Sequence, residues 1–124
     1  MSIALVIDDN RATADALVQM LEVLGLTART AYGSSAAMGV LAAMTPELIL
    51  LDINMPGVDG FEVLGYLQRE PRLIDVPVIV ISSEDQRENL DRAKKGGARA
   101  WVTKPATLDS LEAALKKAGI LEEY

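Results

Sequence analysis

The sequence contains no cysteine and no histidine. Their absence removes thiol nucleophiles, disulfides, the common zinc ligand sets and every mechanism that needs an imidazole base. Aromatic residues are few, with one Trp, one Phe and three Tyr, so a core must be built from aliphatic side chains. No apolar run approaches the ~18 residues that a membrane span needs, and Met1 to Ile7 lacks the basic leader and cleavage site of a secretory signal. Positive charge is scarce as well: 12 Lys and Arg stand against 18 Asp and Glu, a net charge of -6. Nonspecific grip on nucleic acid or on an anionic membrane depends on clustered cations. The expectation is a cytoplasmic protein with no direct nucleic-acid contact and no membrane association.

What is present is half hydrophobic and 124 residues long, a common size for one domain with one core, so residues 1–124 are expected to form a single domain. Three short apolar runs, Ile3 to Ile7, Leu48 to Leu51 and Val76 to Ile81, are continuous rather than alternating, as for parallel strands covered on both faces. Leu26 to Ala31 is more polar and reads as an edge strand, and Arg99 to Val102, after Gly96-Gly97, as a fifth strand. Between the strands lie stretches of helical period at Arg11 to Leu24, Ser34 to Met44, Gly60 to Arg69, Glu84 to Lys95 and Thr107 to Ala118. Five βα units imply an α/β fold with a doubly wound parallel sheet, whose sites lie beyond the carboxyl ends of the strands.

At those ends the sequence places its chemistry. Asp8 and Asp9 follow the first strand and Asp52 the third, so the topology brings three carboxylates to one rim. Two carboxylates ~5 Å apart repel by about 3 kcal/mol at an effective dielectric of 20, so such a cluster needs a cation or shifted pKa values. A hard, oxygen-liganded ion such as Mg²⁺ suits it. Ser82 closes the fourth strand, and Lys104-Pro105 follows the fifth. They add a hydroxyl and an ammonium suited to phosphoryl oxygens.

This set, together with the loop Leu51-Asp52-Ile53-Asn54-Met55-Pro56-Gly57-Val58-Asp59-Gly60, resembles the receiver domains of two-component response regulators, single-domain chemotaxis regulators included, along the whole chain. The resemblance implies a flavodoxin-like strand order 2-1-3-4-5 with five helices. It implies that Asp52 accepts a phosphoryl group from a phosphohistidine, with Lys104 and Ser82 assisting. Mg²⁺, or Mn²⁺ in its place, would be held by Asp9, Asp52 and the backbone carbonyl of Asn54, with Asp8 in support. Ser82 and Trp101 would form the switch, and Asn54 and Glu84 would border the path of the hydrolytic water and tune dephosphorylation. Implied partners are a sensor histidine kinase or histidine phosphotransfer protein, and a downstream target bound at the surface of the fourth helix, fifth strand and fifth helix. The protein itself is expected as a monomer or weak dimer, a phosphoacceptor switch with no independent substrate turnover.

On the first helix, Ala14, Leu17, Val18, Leu21 and Leu24 form the core face at 100° per residue. Ala12, Ala16, Met20 and Val23 form a second apolar stripe that can dock the phosphodonor or pack on the last helix. Plainer roles exist for several of these residues. Asp8-Asp9 also reads as a helix cap, Asp59 as the cap of the third helix, and Ser83 with Gln86 as a capping box. An aspartyl phosphatase would share the strand-end Asp and Mg²⁺, but it would need an acid where Asn54 stands. A flavin module would share the layout, but Asp8-Asp9 would repel its phosphate.

Overall fold

The three continuous apolar runs become the middle of one sheet. The computed structural model describes residues 2–55, 59–83 and 87–122. Its elements alternate as β1 (Ala4–Ile7), α1 (Arg11–Val23), β2 (Ala28–Ala31), α2 (Ser34–Ala43), β3 (Leu48–Asp52), α3 (Gly60–Arg69), β4 (Val78–Ser82), α4 (Arg87–Lys95), β5 (Ala100–Thr103) and α5 (Leu108–Lys117). All strand pairs are parallel and the order is β2-β1-β3-β4-β5. This is the doubly wound sheet that the pattern implied, in the flavodoxin-like order with five helices that the resemblance implied.

Strand residues point to alternate faces, and each face of this sheet has its own apolar layer. Leu5, Ile7, Ile49 and Leu51 pack with Ala37 and Leu41 of α2, Val63 and Leu67 of α3, and Ala93 of α4. Ala4, Val6, Leu48 and Leu50 pack with Ala14, Leu17 and Leu21 of α1 and Leu111 and Leu115 of α5. Every residue of β1, β3 and β4 is buried, which is why those runs do not alternate in polarity. At about 1.5–3 kcal/mol for each large aliphatic side chain removed from water, these layers hold the strand ends in register.

Some boundaries move. β4 starts at Val78, two residues after the run begins, because Pro77 has no N–H for the ladder; its carbonyl still accepts from Ile49 N at 2.9 Å. Thr107 precedes α5 as its N-cap in a capping box with Ser110. The expected start of α4 at Glu84 and the Ser83–Gln86 box involve residues 84–86, outside those described.

Two local devices aim the loops at the rim. Tyr32, just after β2, donates a 2.6 Å hydrogen bond to Asp15 while Arg11 stacks 4.4 Å from its ring centre, tying the start of α1 to the sheet edge. Gly60 opens α3 directly against the loop after Asp52. A Cβ there would overlap Ile53 Cα and stand 2.9 Å from Ile53 Cβ, so only glycine lets α3 approach this closely. Among the described residues, no helix is long and apolar enough to cross a membrane.

Candidate functional site

Asp8, Asp52, Ser82 and Lys104 converge because each ends a neighbouring strand. The rim lies beyond β1 and β3, where the order of strands reverses. Asp52 is the last residue of β3, in register with Ile81, and Ser82 is in register with Thr103. The Lys104 N–H donates to Ser82 O at 2.7 Å, which places the lysine beside the serine. The Lys104-Pro105 peptide bond is cis.

Asp8, Asp52 and Ser82 are the buried polar residues of the described structure, at 0, 2 and 0% exposure. Asp9 is exposed, yet Asp8, Asp9 and Asp52 each offer a carboxylate oxygen, all within 4.8 Å of one another. Lys104 Nζ bridges two of them, 3.5 Å from Asp8 Oδ2 and 3.3 Å from Asp52 Oδ2. Backbone N–H groups take the other oxygens: Asn10 N–H donates to Asp8 Oδ1 and Asn54 N–H to Asp52 Oδ1, each at 2.9 Å. One lysine thus bridges two acids that stand beside a third.

Neither Asp8 nor Asp9 caps α1. Asn10 does so, its side chain accepting from Thr13 N at 3.0 Å, a role that sequence reasoning did not assign although Asn is among the best N-caps. The capping alternative for the acidic pair therefore falls, and both carboxylates are left for the rim. Asp59 caps α3 through Phe61 N at 2.9 Å.

Burial pushes the Asp8 carboxyl above the ordinary carboxylate range. The Asn10 N–H opposes that, the charge of Asp52 adds to it, and Lys104 opposes it in turn. Asp8 Oδ2 is buried without a hydrogen-bond partner among the described residues, with Lys104 3.5 Å away at the long end of ion-pair range. This donor set fits a divalent, oxygen-seeking cation, which would give the buried Asp8 oxygen a strong electrostatic partner and offset the surplus of negative charge.

The sign of the pH effect follows. Because the folded state holds the Asp8 proton more tightly than the unfolded chain, the stability given by neutral Asp8 is present below about pH 3.9 and is lost as pH rises through the higher folded value. Asp8→Asn stays neutral throughout. Without divalent metal, the variant is expected to melt above the wild type by a margin that opens as pH rises past about 4, and it should lose part of the stabilisation that Mg²⁺ gives. Melting curves across pH with a chelator check this; a margin that stays constant with pH contradicts it.

The remaining expected residues are dispersed in an ordered way. The Asn54 side chain sits against Ser82 and Ser83, its Oδ1 accepting from Ser82 Oγ at 2.8 Å. Glu84 lies outside the described residues. Trp101 is half-buried against the α2–α4 layer, and its Nε1 is buried without a partner among the described residues. Ala12, Ala16 and Met20 line a groove of about 470 Å³ with Lys104, Pro105 and Ala106. Val23, nearly a turn beyond Met20 at the far end of α1, is 72% exposed and does not line it. Met20 also packs against the α1/α5 layer, as the packing reading of that stripe expected.

Comparison with known proteins gives one consistent family. Residues 4–116 match the family described as the response regulator receiver domain. The chain is 30% identical to the probable methanogenesis regulatory protein FilR2 of Methanothrix harundinacea over 98% of this chain and 82% of that protein. It spans about half the length of two other curated relatives, both transcriptional regulators, at 49% and 46%. Among solved structures, the signal receiver domain of a DNA-binding response regulator from Colwellia psychrerythraea superposes with a TM-score of 0.87 at 28% identity, over 98% of this chain and all of that one. A response regulator from Burkholderia pseudomallei, described with a phosphorylated aspartic acid, a calcium ion and citrate, superposes at 0.83 with 27% identity, over 97% and 71%.

Proposed function

Because the chain belongs to the response regulator receiver family, and so to phosphorylation-dependent two-component signalling, we propose that Asp52 is its phosphoryl acceptor and that residues 1–124 act as a single receiver domain. The observation that carries this reading is Lys104 bridging the buried carboxylates of Asp8 and Asp52, beside a third acid. The Burkholderia relative, with its phosphorylated aspartate and calcium ion, supports the same chemistry.

In the proposed transfer, an Asp52 carboxylate oxygen bonds to phosphorus as the bond to the donor's imidazole nitrogen breaks, the electron pair leaving with that nitrogen. A histidine kinase or phosphotransfer protein brings the histidine, since this chain has none. The Asn54 N–H fixes one Asp52 oxygen and Lys104 faces the other, so the nucleophile is oriented before the donor arrives. Lys104 then follows the negative charge onto the phosphoryl oxygens, and Ser82 donates to one of them. Asp8, Asp9, Asp52 and the Asn54 carbonyl would hold Mg²⁺, which when bound neutralises phosphoryl charge.

The groove of Ala12, Ala16 and Met20 opens beside Lys104 and is proposed as the seat of a donor helix. A second groove of about 590 Å³ lies between α4 and α5 at β5, lined by Trp101 and by the cations Arg87, Lys94, Arg99 and Lys117 with the single acid Asp91. It is proposed as the target surface. Two features favour its movement. The Trp101 N–H is buried with no partner among the described residues, and a buried donor left so costs about 1–3 kcal/mol. The Arg92–Asp59 pair that ties α4 to the acceptor loop, with Arg92 stacked on Phe61, is exposed and worth only about 0–1 kcal/mol.

Acetyl phosphate with Mg²⁺ is expected to add one phosphoryl group, seen by intact mass, and to change Trp101 emission; excess chelator should prevent both. Met20→Glu should slow transfer from a phosphohistidine protein and leave uptake from acetyl phosphate unaltered. No mass gain in Mg²⁺ contradicts the acceptor reading, and equal slowing from both donors contradicts the docking one.

A further inference from the structure

Asn54 stands two residues after Asp52, and its amide oxygen gathers three donors: Ser82 Oγ at 2.8 Å, Ser83 N at 3.1 Å and Ser83 Oγ at 3.4 Å. A backbone N–H can only donate, so the amide atom facing Ser83 N must be the oxygen. A hydroxyl facing that same oxygen must also donate. The proton of Ser82 therefore points at Asn54 in the unphosphorylated protein, and Ser82 is fully buried, so bulk water does not compete for it.

A phosphoryl group on Asp52 brings oxygens that only accept. To bind one of them, Ser82 must give them the proton it now gives to Asn54, because a hydroxyl has a single proton. We propose that Asn54 is a positioning residue that holds the Ser82 hydroxyl in the resting arrangement, and that redirection of this hydrogen bond from the Asn54 oxygen to a phosphoryl oxygen, the proton staying on Ser82, sets the threshold of the switch. This rests on Asp52 being the acceptor. It assigns the Asn54 side chain a task separate from that of its backbone: the N–H orients Asp52, while the amide oxygen, held also by Ser83, ties the acceptor loop to the end of β4 and restrains the hydroxyl there.

The energetic consequence is specific. Removing the amide takes a hydrogen bond from the resting state and none from the Ser82–phosphoryl contact, so the activated state gains relative to the resting one. The gain must vanish when the Ser82 hydroxyl is absent, which a merely structural role for Asn54 would not require.

The test is a double-mutant cycle. Wild type, Asn54→Ala, Ser82→Ala and the double variant are titrated with beryllofluoride in Mg²⁺, the bound fraction being read from the fluorine resonances of the protein-held ligand. Asn54→Ala is expected to bind about fivefold more tightly than wild type, the worth of one net hydrogen bond. In the Ser82→Ala background the same change should alter affinity by less than about twofold. An equal gain in both backgrounds, or none in the first, overturns the inference while leaving the acceptor reading intact. Absence of any bound resonance in the wild type overturns the acceptor reading and the inference with it.

Discussion

Asp52→Asn is expected to take up no phosphoryl group from acetyl phosphate under conditions that modify the wild type fully. The change keeps the size of the side chain and an oxygen to accept the Asn54 N–H, now 2.9 Å from Asp52 Oδ1, so the loop should hold its shape. What it removes is the charged oxygen that forms the bond to phosphorus. It also relieves the crowding of three carboxylates within one cluster, and the variant should melt no lower than the wild type in the absence of metal. Intact mass and a melting curve check both parts. Continued uptake would mean that another side chain, an acid or a serine, serves as nucleophile; loss of uptake together with loss of fold would leave the chemistry to be read from Lys104.

Lys104→Met is expected to move two quantities in opposite directions. The ammonium stands 3.3 Å from Asp52 and 3.5 Å from Asp8, where it neutralises charge in the resting protein and would meet the phosphoryl oxygens during transfer. Losing one preorganised cation that stabilises a transition state costs about a hundredfold in rate, and phosphorylation should slow by that order. The same loss leaves the acidic cluster more negative, so Mg²⁺ should bind more tightly, by roughly tenfold or about 1.4 kcal/mol. Methionine keeps most of the apolar stem packed. Slower uptake with weaker Mg²⁺ binding would show that the substitution damages the site as a whole rather than its electrostatics.

How much of this was legible in the chain follows from what each residue depends on. β1, β3 and β4 were readable because strands covered on both faces need unbroken apolar runs. The convergence of Asp8, Asp52, Ser82 and Lys104 followed from their standing at strand ends in a parallel sheet, where topology alone fixes neighbours. Geometry that depends on side-chain direction was not readable. Asn10, rather than the acids before it, caps α1, a choice made by the local turn. Val23 shares a helical stripe with Met20 but falls outside the groove, because the groove closes over the α1 end nearest Lys104. The three donors on Asn54 depend on how close the acceptor loop comes to the end of β4, and Gly60 helps set that approach by letting α3 lie against Ile53.

On the proposed reading a single carboxylate, that of Asp52, carries the phosphoryl group. An acyl phosphate, unlike a free carboxylate, is reduced by borohydride to an alcohol, so the acceptor can be marked in place and found by peptide sequencing in a mass spectrometer. After treatment with acetyl phosphate and Mg²⁺, the expected mark is homoserine at position 52 and nowhere else. A mark at Asp8 or Asp9, or a phosphoryl group that survives reduction on a serine, would contradict it.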